Sequence, residues 1–101
     1  MQQEQALQVI YEAIDVVNRQ LPQARRLAKS PDTIIVGPSG RLDSLGIVNL
    51  VLAIEERASE VIGTPLRLLD EGAMLDDGGP FRDVGSLAGL LERLGGAAKN
   101  P

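Results

Sequence analysis

The periodicity of apolar positions divides the chain into three amphipathic segments separated by two long connections. From about Gln2 to Leu21, Leu7, Ile10, Ile14, Val17 and Leu21 recur at steps of three and four, with Gln3, Glu4, Glu12, Asp15 and Arg19 among the polar positions between them. That spacing predicts a helix, which Pro22 stops by disfavouring helical geometry at the residue before it. Residues 24 to 29 can add a further turn or two. The second segment, Asp43 to Gly63, is the strongest. Asp43 or Ser44 can cap its free amides, and Gly63, followed by Thr64 and Pro65, ends it. In the third, Leu87, Leu90, Leu91 and Leu94 form a stripe that Ser86 can cap and that Gly95 and Gly96 close, leaving a frayed tail at 97–101. One domain over residues 1–96 is therefore expected, an all-α bundle of three main helices.

The central segment has more apolar residues than one stripe needs. Ile47, Leu50, Val51, Ile54, Ala58, Val61 and Ile62 share a core-facing side. Leu45, Val48 and Leu52 then fall on a neighbouring face that begins beside Ser44. Either another part of the chain covers that face, or it is reserved for a partner or ligand.

The connections offer motifs that fail on their residues. Residues Thr33 to Val36, followed by Gly37, Pro38, Ser39 and Gly40, have the outline of a strand running into a phosphate-cradling loop, but Arg41, Leu42 and Asp43 follow, with no lysine and with a carboxylate where phosphates would sit. Ile34, Ile35 and Val36 are better read as loop residues tucked against the bundle. Between Thr64 and Pro80, the cluster Asp76, Asp77, Gly78 and Gly79 lacks the alternating ligands and closing glutamate of a calcium loop and reads as a turn, with room for a short helix nearby.

Composition narrows the chemistry. The 101 residues include no cysteine and no histidine. Disulfides and thiolate metal sites are thereby excluded, and the commonest general base is missing, so a serine hydrolase would have to recruit Lys29 or Lys99, which no spacing supports. No apolar run approaches the length of a membrane span, and the N-terminal residues lack the basic flank of a signal peptide, so a soluble, cytoplasmic protein without stable membrane insertion is expected. The net charge of −4 is uneven: residues 43 to 83 carry nine acids against Arg57, Arg67 and Arg82, while residues 1 to 42 are slightly basic. Such an acidic half disfavours nucleic acid and favours a basic protein surface.

With the elements in place, the chain resembles the acyl carrier proteins, the phosphopantetheine-attachment family. The resemblance rests on Asp43, Ser44 and Leu45 at the start of the second helix, on Gly40 before them, on the apolar and acidic helix after them, and on Phe81, Arg82, Asp83, Val84, Gly85, Ser86 and Leu87, which are similar to the family's approach to its last helix. It covers nearly the whole chain. It implies a small four-helix bundle of acyl-carrier type, with three main helices, a short one and a long loop between the first two.

The resemblance further implies that Ser44 is the attachment point of 4'-phosphopantetheine, moved there from coenzyme A by a magnesium-dependent phosphopantetheinyl transferase. Asp43 would be cap and part of the transferase's recognition surface. The arm's thiol would hold acyl groups as thioesters, so the protein would be no enzyme itself but a monomeric substrate of acyl ligases, synthases or acyltransferases in lipid metabolism. Leu45, Val48 and Leu52 match the positions through which family members meet their enzymes, and Glu55 and Glu56 match acids that face basic patches. Gly46 and Asn49 stand where fatty-acid carriers commonly have acids, Arg57 adds a positive charge, and the connection from Gly63 to Pro80 is long. These departures point to a specialised carrier outside housekeeping fatty-acid synthesis. Peptidyl and D-alanyl carriers share the triplet and the fold, and an unmodified helical adaptor docking through Leu45, Val48 and Leu52 is the alternative from another class.

Overall fold

The computed structural model describes residues 2–36, 42–63, 68 and 81–99, with Ser44 and residues 95–99 described by their backbone alone. It contains α1 (Gln3–Asn18), a single 3-10 turn (Gln23–Arg25), α2 (Ser44–Ile62) and α3 (Val84–Lys99). Helix α1 packs against both α2 and α3, and the α2–α3 contact is smaller. Among the described residues there is no strand, only one isolated antiparallel bridge between Ile34 and Asp83. None of the described helices is long and apolar enough to cross a membrane.

The core side of α1 is set by small residues as much as by large ones. Ala6, Val9, Ile10, Ala13, Ile14 and Val17 are buried, whereas Leu7 and Leu21, predicted for the core, are only partly covered and pack at its edge. The alanines at positions 6 and 13 lie one above the other two turns apart and let neighbouring backbones approach closely. The helix ends at Asn18, three residues before the predicted Leu21. Its side chain explains the early stop: Asn18 Nδ2 donates to the Leu27 carbonyl (3.0 Å) and Asn18 Oδ1 accepts the Leu27 N–H (2.9 Å). This two-way pairing turns the chain back on itself and brings Leu27 into the core. Arg26 completes the corner, its Nε donating to the carbonyls of Asn18 (3.1 Å) and Leu21 (3.2 Å), which satisfies acceptors that a helix end leaves unpaired.

Helix α2 has the predicted bounds. Gly63 closes it at φ 79°, its N–H donating to the Ser59 carbonyl (2.9 Å), a left-handed geometry that glycine adopts without steric cost. Its buried side comprises Ile47, Leu50, Val51, Ile54 and Ala58. Val61, assigned to that side from its spacing, is instead 45% exposed. It shares the angular position of Leu50 and Ile54 but lies in the last turn, beyond Ala58, where the buried stretch has ended.

Helix α3 starts earlier and runs further than its punctuation predicts. Asp83, not Ser86, is the capping residue: Asp83 Oδ1 accepts the Ser86 N–H (2.7 Å) and the Asp83 carbonyl accepts the Leu87 N–H (3.1 Å). The two remaining first-turn amides are taken by the loop after α1, Val84 N–H donating to the Thr33 carbonyl (3.0 Å) and Gly85 N–H to the Pro31 carbonyl (2.9 Å). In return Arg82 offers its carbonyl to the amides of Ile35 (2.8 Å) and Val36 (3.3 Å). Every orphan donor of the first turn is thus accounted for. Ile35 is buried by this lacing and Ile34 and Val36 are half-buried, as expected for the tucked loop. The helix continues through Gly95 and Gly96 to Lys99, so the predicted tail at 97–101 overlaps its last turn. Glycine lowers helix stability by only about 1 kcal/mol relative to alanine and does not by itself end a helix.

Two α3 glycines make a test of this geometry. A β-carbon on Gly89 would meet no atom within 4 Å, whereas one on Gly85 would sit 3.2 Å from the Pro31 carbonyl oxygen that Gly85 itself binds. Gly89→Ala is therefore expected to stabilise the protein by ~0.5–1 kcal/mol through helix propensity. Gly85→Ala should lose that gain to crowding of a backbone acceptor. Thermal denaturation of both variants checks the contrast, and equal stabilisation would show that the loop is not laced to α3 as described.

Candidate functional site at the start of helix α2

Asp43 organises the first turn of α2. Its backbone is extended (φ −81°, ψ −178°), its Oδ1 accepts the Gly46 N–H (2.8 Å) and its carbonyl accepts the Ile47 N–H (2.9 Å). A single carboxylate in this position caps the amides and complements the positive end of the helix dipole. Ser44 follows as the first residue of the helix. The residue before the cap, Leu42, is half-buried and packs on the core cluster that contains Ile47, the arrangement of a hydrophobic staple. The staple fixes the angle at which the chain enters α2.

This tight first turn accounts for Gly46. A β-carbon there would lie 3.2 Å from Asp43 Oδ1 and 3.2 Å from Leu42 Cδ2. A larger side chain would press on both the cap and the staple. The reason for glycine was not visible in the sequence because it depends on where Leu42 folds. A leucine just before the cap with an isoleucine four residues into the helix was the signal that could have shown it.

Further along the same side, Leu45 is 69% exposed and Leu52 47% exposed, with Val48 half-buried between them. Of the two readings of the second apolar face, the open one holds at Leu45 and Leu52. The flanking acids behave differently from each other. Glu56 is exposed. Glu55 is half-buried and its carboxylate accepts the N–H of Leu68, a residue with no exposed surface. Glu55 thus fastens the chain beyond α2 to the helix, and displacing it would leave a buried amide unpaired.

Among the described residues no group of histidine, cysteine or acidic side chains is placed to hold a metal ion. Residues 37–41, and all of the 64–80 connection except Leu68, lie outside the described residues, and with them the positions where a short fourth helix and the Asp76 to Gly79 turn are expected. The chain matches no protein-family model, no curated protein and no solved structure.

Proposed function

We propose that this chain is a carrier protein of acyl-carrier type, a four-helix bundle whose short helix lies in the 64–80 connection, bearing 4'-phosphopantetheine on Ser44. The observation that carries this reading is the capped start of α2: Asp43 holds the first turn, Ser44 opens a 19-residue helix, and exposed leucines follow at positions 45 and 52. A serine in a chain without histidine or cysteine is poorly equipped to act as a nucleophile of its own. It is well suited to accept a group from an enzyme that brings the catalytic machinery. The phosphodiester formed would be an anion at a helix N-terminus, favoured there by ~0.3–1 kcal/mol. The arm would supply the thiol that the chain lacks and carry acyl groups as thioesters.

In this reading Leu45, Val48 and Leu52 form the apolar part of the surface that the transferase and the acyl-handling enzymes grip, with Glu56 at its margin for a basic residue of the partner. Glu55, occupied with Leu68, contributes to the shape of that surface more than to its available charge. The mild net charge of −4, Gly46 and Asn49 favour a specialised carrier over one serving housekeeping fatty-acid synthesis. The exposed leucines would equally suit an unmodified adaptor, and loading separates the two. Incubation with coenzyme A, magnesium and a broad-specificity phosphopantetheinyl transferase, followed by intact-mass measurement, is expected to show one added phosphopantetheine on the wild type and none on Ser44→Ala. An unmodified wild type under conditions that load a control carrier would overturn the carrier reading in favour of the adaptor.

A further inference from the structure

A second grouping of charge lies at the C-terminal end of α1. From Arg19 to Lys29 the chain carries Arg19, Arg25, Arg26 and Lys29 with no acid among them, although the protein as a whole is negative. Beside this stretch Asp15, Asn18, Arg19 and Arg26 line an open cleft of about 350 Å³. The volume is at the small end of the range for small-molecule sites.

The described residues lining it differ in what they have left to offer. Asp15 is neutralised by Lys29, whose Nζ lies 3.1 Å from Oδ1 and 3.2 Å from Oδ2. The Asn18 amide is committed to the Leu27 backbone. Arg26 spends only its Nε, on the Asn18 and Leu21 carbonyls. That anchor orients the guanidinium plane and leaves the two terminal nitrogens bonded to no described residue. Arg19 is exposed and its side chain pairs with no described residue. Capping of α1 accounts for one donor of Arg26 and for none of Arg19.

We propose that this cleft binds a small phosphate-bearing molecule through Arg19 and Arg26. Two arginines on one cleft, one with its guanidinium already oriented by the backbone, suit an oxyanion that can accept from both. A phosphate presents three oxygens and can take a pair of N–H donors from each arginine. A carboxylate carries a single charge on two oxygens in one plane, and so matches two arginines less well than a tetrahedral, more highly charged phosphate.

The test is an NMR titration of the full chain at low ionic strength with inorganic phosphate and then pyrophosphate, against sodium chloride at matched ionic strength. Saturable shifts confined to Arg19, Arg26 and the backbone of residues 18–27 are expected, tighter for pyrophosphate. Arg19→Gln should weaken the binding roughly tenfold, the effect of one charge-assisted pair, and leave the melting temperature unchanged. Arg26→Lys keeps the charge but loses the anchored fork, and should weaken binding several-fold. Shifts that never saturate, shifts spread over all basic residues, or an Arg19→Gln variant that titrates like the wild type would overturn the proposal. So would a short glutamate peptide binding more tightly than pyrophosphate, which would assign the cleft to an acidic protein segment.

Discussion

Replacement of Ile54 by alanine is expected to lower stability by ~2–5 kcal/mol, the cost of removing a large aliphatic side chain from a packed core. Ile54 has no exposed surface and sits midway along the buried side of α2. Leu45 and Leu52, on the same helix, are 69% and 47% exposed, and their truncation to alanine should change stability by no more than about 0.5 kcal/mol, as for surface positions in general. The three variants thus give one comparison with two readouts. Chemical denaturation should separate Ile54→Ala from the others. The rate of phosphopantetheine transfer should fall for Leu45→Ala and Leu52→Ala, at protein concentrations where both remain fully folded. If Leu45→Ala and Leu52→Ala melt as early as Ile54→Ala, the exposed face is a structural one and the docking role assigned to it is lost.

Phe81→Ala is expected to be the most damaging single change, at ~3–5 kcal/mol. Phe81 is the only phenylalanine in the chain and is completely buried. It stands directly before Arg82, Asp83, Val84 and Gly85, the residues that exchange hydrogen bonds with the 31–36 loop and cap α3. Loss of its ring opens a cavity and at the same time loosens the segment that caps α3 and holds the 31–36 loop. A domain of this size has ~5–15 kcal/mol in total, so the melting temperature should drop by more than roughly 12 °C. Hydrogen exchange of the Ile35, Val84 and Gly85 amides should accelerate disproportionately. A uniform acceleration across all three helices, with no excess at these amides, would show that Phe81 stabilises the whole core without any special hold on the lacing.

How far the fold could be read in advance followed the range of the interaction responsible. The extent of helix α2 was legible because its signals are local: a carboxylate three positions before the amide it caps, and a glycine where the helix ends at a positive φ. The burial of Ile35 was legible because an apolar run in a loop must find cover. The end of α1 was not, since Asn18 is ordinary in a helix and acts as a terminator only through Leu27, nine positions away. The start of α3 was misplaced for the same reason. Ser86 and Asp83 are both competent caps, and the choice of Asp83 depends on the Thr33 and Pro31 carbonyls lying ready for the next two amides. At the candidate site, spacing narrowed the cap to Asp43 or Ser44 and put Leu45, Val48 and Leu52 on a second face, but whether that face is covered, and the engagement of Glu55 by Leu68, depend on the path of the rest of the chain.

The exchange between the 31–36 loop and the residues opening α3 has a kinetic consequence. Its partners, such as Thr33 and Val84, stand about fifty positions apart in the chain, so the contact can form only after a large loop has closed. Helical proteins of this length usually fold fast because most of their contacts are local. Here the individual helices can form within microseconds, yet the last free energy of folding waits on a tertiary contact between a loop and the first turn of α3. Refolding should therefore be slower than the helical content alone suggests, with the amides of Ile35 and Val84 the last to gain protection.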